Sequence, residues 1–152
     1  MKFLILTALL LPQLAISAPL YMQGKPTIKN GAYQGLKSTE IRFEIDEDVV
    51  KICGFNVFSG GGTGAIDRRW TIFGNNLFFG REKVGDYSDG KIYVELKYTA
   101  QGEPQKQILV FQWNEIEKTF LYAIKDTYVG GFQSEGALLP APSDALKKAC
   151  GE

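Results

Sequence analysis

The sequence contains no histidine, so it lacks the side chain on which most acid–base and nucleophilic catalysis depends. Serine and cysteine nucleophiles that need an imidazole base are therefore excluded, and so are zinc and copper sites that rely on histidine. Carboxylates, lysine, tyrosine and serine–lysine pairs remain. Glu95 and Glu115 are isolated candidates for a two-carboxylate hydrolase, but the sequence does not pair them. We therefore predict that the chain is not an enzyme.

An excess of charge of one sign is also missing. The 17 Lys and Arg residues balance 17 Asp and Glu residues, which gives no electrostatic surface for nucleic acid. No Gly-Lys-Ser/Thr follows the glycine-rich run, and no Asn-x-Ser/Thr sequon occurs. The acidic stretches at residues 46–48 and 86–90 favour turns over calcium loops. No cofactor and no metal site is predicted.

Long apolar runs are confined to the start of the chain. Lys2 precedes an apolar run over residues 3–11, and small residues occupy the −3 and −1 positions for a cut after Ser17. The run is shorter than the ~20 residues of a membrane-spanning helix. This pattern predicts a secretory signal peptide over residues 1–17, and we expect residues 18–152 to form one secreted domain, extracellular or in the periplasm or cell envelope, without stable membrane insertion.

Cysteine is scarce as well, since only Cys53 and Cys150 are present. In an oxidising compartment, two cysteines most simply pair with each other. They lie 97 positions apart. On the chain-entropy argument, a bridge closing so long a loop stabilises the fold by roughly 4–5 kcal/mol. The alternatives are two free thiols or an intermolecular bridge.

Alternating apolar residues are the main feature that the chain does have, and they indicate β-strands. Strands are predicted at residues 39–45, 49–58, 70–73, 77–79, 91–98, 107–113, 119–124 and 127–132. Residues 18–38 are interpreted as an extended lead-in with at most one short strand, and Gly102 and Pro104 as a turn. A short helix capped by Ser143 and ended by Gly151 would deliver Cys150. Together these predict a mainly β domain, a single antiparallel barrel or curved sheet with one disulfide.

A glycine-rich tip separates two central strands, and it has two interpretations. It is either a flexible hairpin end that requires glycine, or a mobile loop that binds a partner or an anion. The candidate loop comprises Ser59, Gly60, Gly61, Gly62, Thr63 and Gly64. Arg68 and Arg69 follow it and are interpreted as a processing site, an anion contact or, more commonly, a solvated stretch of strand.

The same region carries a resemblance to a known family. After an apolar strand and a cysteine come Asn56-Val-Phe-Ser-Gly60, then Trp70-Thr-Ile-Phe-Gly74 and Leu77-Phe-Phe-Gly80. This order resembles the central segment of META domains, which are small β-rich domains of bacterial envelope and parasite proteins. Residues 117–124 are similar to that family's later Phe-Leu-x-x-Leu stretch. The resemblance implies a β-rich fold and a secreted or envelope-associated role, without a settled activity.

Two functions are predicted for the domain. The first is a small secreted, non-enzymatic interaction domain, inhibitor-like or effector-like, which binds another protein through exposed loops. The alternative is a lipocalin-like barrel that carries a small apolar ligand, because aromatic residues are frequent at 73–79 and 111–122. The sequence does not predict an oligomeric state.

Overall fold

The computed structural model describes residues 18–152, and the predicted signal peptide lies outside the described residues. The described chain forms ten β-strands, a single-turn 3-10 helix (Gly31–Tyr33) after β1 and a short helix α1 (Asp144–Ala149) after β10. The strands are β1 (Leu20–Lys29), β2 (Leu36–Asp46), β3 (Val49–Phe58), β4 (Thr63–Phe73), β5 (Asn76–Phe79), β6 (Glu82–Ser88), β7 (Lys91–Ala100), β8 (Glu103–Asn114), β9 (Thr119–Asp126) and β10 (Gly130–Leu139). Within residues 18–152, no helix has the length and apolar content of a membrane span.

Every strand pairs antiparallel with its neighbours along the chain, and β1 also pairs with β10. The sheet is therefore a closed up-and-down barrel, which confirms the predicted antiparallel barrel and shows its closed form. Closure leaves no first or last strand unpaired along its whole length. Because the connections are consecutive hairpins, the turns after β1, β3, β5, β7 and β9 lie at one end, and those after β2, β4, β6 and β8 at the other.

Aromatic rings fill the second of these ends. Strand alternation turns every second side chain inwards, and Phe43 on β2 faces the interior. Its ring centroid lies 4.8 Å from that of Phe111 and 4.6 Å from that of Trp113, both on β8. These separations fall in the favourable range for aromatic pairs. We call this half of the interior, with Phe43, Phe111 and Trp113 at its centre, the aromatic end.

Helix α1 packs against the outside of β2 and β3. Its first turn is capped by Ser143, whose Oγ accepts a hydrogen bond from the Leu146 backbone N–H at 3.1 Å. Leu146 is fully buried beneath the helix. Cys150 then reaches Cys53 on the outer face of β3, with a Cα–Cα distance of 5.5 Å. The predicted capped helix and the predicted disulfide are both confirmed.

Three local predictions were wrong. The supposed lead-in contains β1, a ten-residue strand that closes the barrel. Its pattern is weak because Gly24 occupies an inward position, where an added Cβ would lie 2.7 Å from the Phe120 ring. Gly102 lies in the predicted turn. Pro104 belongs instead to β8, where it pairs with Thr99 close to the start of the strand, a position that tolerates proline.

The third error concerns residues 127–132, which were predicted to be a strand. Residues 127–129 form a turn instead, and β10 begins at Gly130. The Asp126 carboxylate holds this turn by accepting the backbone N–H groups of Tyr128 and Val129 at 2.8 and 3.1 Å. The short polar strand β6 was not predicted at all, because Val84 is its only aliphatic residue. Residues 86–88, interpreted as part of a turn, belong to this strand, and the turn is confined to residues 89–90.

Candidate functional site

The barrel wall has a gap between β4 and β7. Strand β5 pairs with β4 only at Thr71–Phe73, and β6 pairs with β7 only at Lys91–Val94. Among residues 18–152, no strand pairs with the remaining edge of β4 or of β7. The β5–β6 hairpin therefore covers this wall only next to the aromatic end. Towards the opposite end, the interior is open to the side.

A cleft of about 960 Å³ lies at this gap. Leu96 and Tyr98 line it from β7, and Gln107 and Asp126 line it from the interior ends of β8 and β9. Phe79, at the tip of the β5–β6 hairpin, also lines the cleft and is 68% exposed. We call this half of the barrel interior the polar end.

Asp126 is the centre of a hydrogen-bonded group at the polar end. It is only 6% exposed. Its Oδ1 accepts the Tyr98 hydroxyl at 2.6 Å in addition to the backbone N–H groups of Tyr128 and Val129. Its Oδ2 accepts the Gln107 amide at 3.0 Å. These contacts join β7, β8 and the β9–β10 turn around one carboxylate.

These contacts set the ionisation of the group. Burial alone would raise the pKa of Asp126, but the hydrogen bonds from Tyr98, the two backbone N–H groups and Gln107 outweigh it and hold the pKa below its ordinary value of 3.8. In the reverse direction, the hydrogen bond to Asp126, followed by burial, raises the pKa of the Tyr98 hydroxyl to about 12. Asp126 is therefore an anion and Tyr98 a neutral donor near neutral pH.

Arg68 lies on the inner face of β4 beside the gap. Strand alternation places it between the buried Ile66 and Trp70, and Arg69 points outwards. The Arg68 guanidinium donates to Gln107 Oε1 at 3.2 Å, across the gap in the wall. The usual interpretation of the pair as a solvated stretch is therefore correct for Arg69 but wrong for Arg68. The i, i+2 pattern of Ile66, Arg68 and Trp70 was the available signal.

Tyr122 lies deeper, on β9, and is fully buried. Its hydroxyl makes no hydrogen bond of ordinary geometry to any group in residues 18–152. Burial raises the pKa of Tyr122 to about 12, and the nearby Arg68 guanidinium opposes the rise through its charge and through a hydrogen-bond interaction with the hydroxyl oxygen. Burial also raises the pKa of Tyr33, from the 3-10 helix, with the same opposition from Arg68. The hydroxyls of Tyr33 and Tyr122 therefore both lie near the Arg68 guanidinium.

A second polar cluster is closed on itself. Thr39 Oγ1 donates to Asn56 Oδ1 at 2.8 Å, and the Thr39 and Ser134 hydroxyl oxygens lie 2.9 Å apart. All three side chains are buried. This cluster satisfies polar groups of β2, β3 and β10, and we assign it a structural role.

The glycine-rich loop lies at the same end as the cleft. Residues 59–62 connect β3 to β4, whereas Thr63 and Gly64 already belong to β4 and pair with Val57 and Asn56. The interpretation as strand, tip and strand is confirmed. The Ser59 backbone N–H donates to the Gly35 carbonyl at 2.7 Å, which anchors one side of the loop. Its role in binding a partner stays a prediction.

The two carboxylates named for hydrolysis do not form a pair. Glu95 is opposite Ile108 on the outer face of the β7–β8 ladder, and Glu115 follows the end of β8. Six residues of extended strand separate Ile108 from Asn114, or about 20 Å, whereas a glycosidase pair requires about 5–9.5 Å. Among the described residues, no cluster of three or more acidic or cysteine side chains is arranged to hold a metal ion.

Fold and site together define a closed antiparallel barrel with a side cleft that opens on a polar interior. No family model matches the sequence, and no curated protein matches it. Among solved structures, it is similar to a redesigned β-barrel, mFAP1, bound to DFHBI, with a TM-score of 0.43 and 9% identity over 82% of this chain and 94% of that chain. A likeness at this level supports no inference about function. The resemblance to META domains stays a prediction.

Proposed function

We propose that this barrel binds a small, mainly apolar molecule in the cleft between β4 and β7. The observation that carries the proposal is the gap in the wall, which opens the polar end of the interior to solvent. Ligand sites are typically concave and largely apolar, with a few placed polar groups. The alternative function predicted from the sequence, a carrier barrel, is the one that this geometry favours.

The lining of the cleft includes charged residues of β6 and β7 as well as interior residues. The charged residues are Glu82, Lys83, Asp86, Glu95 and Lys97. The contacts proposed for the ligand lie among the other residues. Phe79, Val84 and Leu96 provide an apolar wall, and the 68% exposure of Phe79 leaves its ring available for contact. Gln107 and Asp126 provide the polar side, and their hydrogen bonds fix them in place before any ligand arrives. A site that is already ordered loses little side-chain entropy on binding.

We also propose that the protein works outside the cytosol. The disulfide between Cys53 and Cys150 supports this, because such bonds persist in oxidising compartments. Mass spectrometry of the protein secreted by its own cells tests the proposal. We expect a mature chain that begins at Ala18 and contains no alkylatable thiol, whereas an intact N-terminus would contradict secretion through a cleaved signal.

A neutral fluorescent probe tests the binding proposal. N-phenyl-1-naphthylamine should bind the mature protein saturably, at one molecule per barrel, with enhanced and blue-shifted emission. Ala100→Trp adds bulk where Ala100 lines the cleft and should weaken binding. Thr99→Trp is the matched control. Thr99 is exposed and lies next to Ala100 on the other face of β7, so this substitution adds the same fluorophore outside the cleft.

The outcomes separate clearly. Weaker binding by Ala100→Trp alone supports the cleft as the site. Failure of the wild type to bind the probe would contradict the proposed function. Equal affinities of the two tryptophan variants, with both correctly folded, would contradict the location.

A further inference from the structure

We infer that Arg68, with the Tyr122 hydroxyl, anchors a carboxylate on the ligand of this barrel. The inference rests on the proposed function and specifies the ligand class, an apolar molecule that carries one carboxylate. It follows from the position of Arg68, from the state of its charge and from the buried Tyr122 hydroxyl beside it.

The position of Arg68 is unusual for a strand arginine. It occupies an inward position on β4 opposite the fully buried Ile52. This part of β4 borders the gap, and the guanidinium faces the interior. Arg68 does not line the cleft itself, but it donates to Gln107, which does. The adjacent Arg69 faces solvent, as charged strand residues usually do. Its side chain is 67% exposed and is paired to Asp67 at 3.5 Å.

The charge of Arg68 is not paired. No carboxylate of residues 18–152 lies within salt-bridge distance of it. Asp126, the acidic side chain nearby, already accepts four hydrogen bonds from other groups. The acceptor that Arg68 does have is the neutral amide oxygen of Gln107. A partly buried cation is costly without an anion, and a bound carboxylate would supply one.

Tyr122 adds a donor at the same place. Its hydroxyl is fully buried and lies beside the Arg68 guanidinium, which interacts with the hydroxyl oxygen, but the hydroxyl donates to no acceptor within the described residues. A buried hydroxyl without a partner destabilises the fold, so its presence requires an explanation. A carboxylate oxygen bound to Arg68 would accept this hydroxyl and satisfy it.

The geometry favours a carboxylate over other head groups. A planar guanidinium matches the two oxygens of a carboxylate in a forked pair of hydrogen bonds. Arg68 is the one basic side chain at the inward positions of β4, β7, β8 and β9, the strands around the cleft, so a single negative charge is matched. On binding, a ligand oxygen takes the place of the Gln107 oxygen on Arg68, and Gln107 keeps its bond to Asp126.

Displacement of the neutral probe by two matched ligands tests this inference. Decanoate and decan-1-ol share one apolar chain, and only decanoate carries the carboxylate. Simple partitioning favours the alcohol, so a preference for decanoate requires a specific contact. We expect the wild type to bind decanoate about ten- to a hundredfold more tightly than decan-1-ol, as for hydrogen bonds to a charged group.

Two variants locate the contact. Arg68→Gln should abolish the preference for decanoate, with a much larger loss of affinity for decanoate than for decan-1-ol or the neutral probe. Arg69→Gln is the control on the same strand and should keep the preference, because its ion pair is exposed. Tyr122→Phe should reduce decanoate affinity several-fold while the fold remains as stable as before.

Failure of this inference differs from failure of the proposed function. If the wild type binds the neutral probe but does not distinguish decanoate from decan-1-ol, Arg68 is no carboxylate anchor and the barrel still binds ligands. The same conclusion follows if Arg68→Gln keeps the preference. If the neutral probe does not bind the wild type at all, the proposed function itself fails.

Discussion

The interior of this barrel is filled differently at the aromatic end and at the polar end. At the aromatic end, the rings of Phe43, Phe111 and Trp113 pack against one another, with centroids 4.6–5.4 Å apart. At the polar end, Gln107 joins Arg68 to Asp126 through hydrogen bonds of 3.2 and 3.0 Å beside an open cleft. The first arrangement excludes other molecules, and the second leaves room for one.

The two ends contribute differently to stability and to binding, although they belong to one continuous sheet. Apolar burial at the aromatic end contributes free energy without needing partners of defined geometry. The polar end also has aromatic packing, since the Tyr33 ring centroid lies 4.7 Å from that of Phe132. Its hydrogen-bonded groups contribute less, because their bonds replace similar bonds to water. Its short wall at β5 and β6 removes packing but provides access. Stability and access therefore occupy opposite ends.

The largest contrast should come from removing one ring at each end. Phe111→Ala removes a fully buried ring and should lower the free energy of unfolding by about 3–5 kcal/mol. Phe58→Ala removes a partly buried ring at the polar end and should cost only about 1–2 kcal/mol. Denaturant unfolding measures both losses. Equal losses would contradict the claim that the aromatic end contributes more to stability than the polar end.

The disulfide should stabilise the whole barrel without contributing to the cleft. Replacing Cys53 and Cys150 by alanine removes a bridge of sequence separation 97 and should cost roughly 2–5 kcal/mol. Probe affinity under native conditions should not change, because the bridge lies outside the barrel. Reductant should reproduce the loss in the wild type and have no effect on the variant. A loss of binding would show that the two ends are coupled through the wall.

Asp126 should make the stability of the polar end depend on pH. Its folded pKa is lower than its unfolded pKa, so its contribution is present at neutral pH and is lost as pH falls below about 4. Asp126→Asn should cost about 1–3 kcal/mol at pH 7. The difference from the wild type should shrink on acidification in unfolding curves. Asp67→Asn, at an exposed site, is the control, and a constant difference for Asp126→Asn would refute the assignment.

Two tyrosines at the polar end should respond oppositely to loss of the hydroxyl. Tyr98→Phe removes the 2.6 Å bond to Asp126 and should lower the free energy of unfolding. Tyr122→Phe removes a hydroxyl that donates to no acceptor in the described residues and should leave the free energy of unfolding unchanged or raise it by up to about 1 kcal/mol. Thermal and denaturant unfolding compare the pair. A destabilised Tyr122→Phe would show that this hydroxyl is already satisfied in the free protein.

The smallest effect should lie at the glycine loop. At Gly62 an added Cβ would meet no atom within 4 Å, and its backbone is not in the left-handed region. Gly62→Ala should raise the free energy of unfolding by about 0.4–1 kcal/mol, through the lower entropy of the unfolded chain. Probe affinity should stay the same. A clear loss of probe binding would extend the site from the cleft to the loop.

Much of the fold could be predicted from the residues because its strands alternate clearly. The β2 and β7 patterns, the capped tail helix and the cysteine pair all carry local signals that agree with the structure. Strand β1 could not be predicted, because its alternation is weak around the inward Gly24. Its pairing with β2 and β10 exists only in the folded barrel. Strand β6 could not either, since it is short, polar and largely exposed.

The candidate site was harder to predict, because it depends on residues far apart in the chain. Arg68 and Gln107 lie 39 positions apart and meet only after the barrel closes. The gap between β4 and β7 results from the short β5–β6 hairpin, which no single residue specifies. The alternation around Arg68 was visible, but charged strand residues usually face solvent, so the pair with Arg69 favoured an exposed stretch.

Chemical-shift mapping with N-phenyl-1-naphthylamine tests the division between the two ends most directly. On titration of the labelled mature protein, we expect the backbone amide signals of Arg68, Leu96 and Gln107 to move saturably, while those of Phe43 and Phe111 stay in place. Shifts centred on the aromatic end or on the outer face of the sheet, or no shifts at saturating probe, would contradict the account.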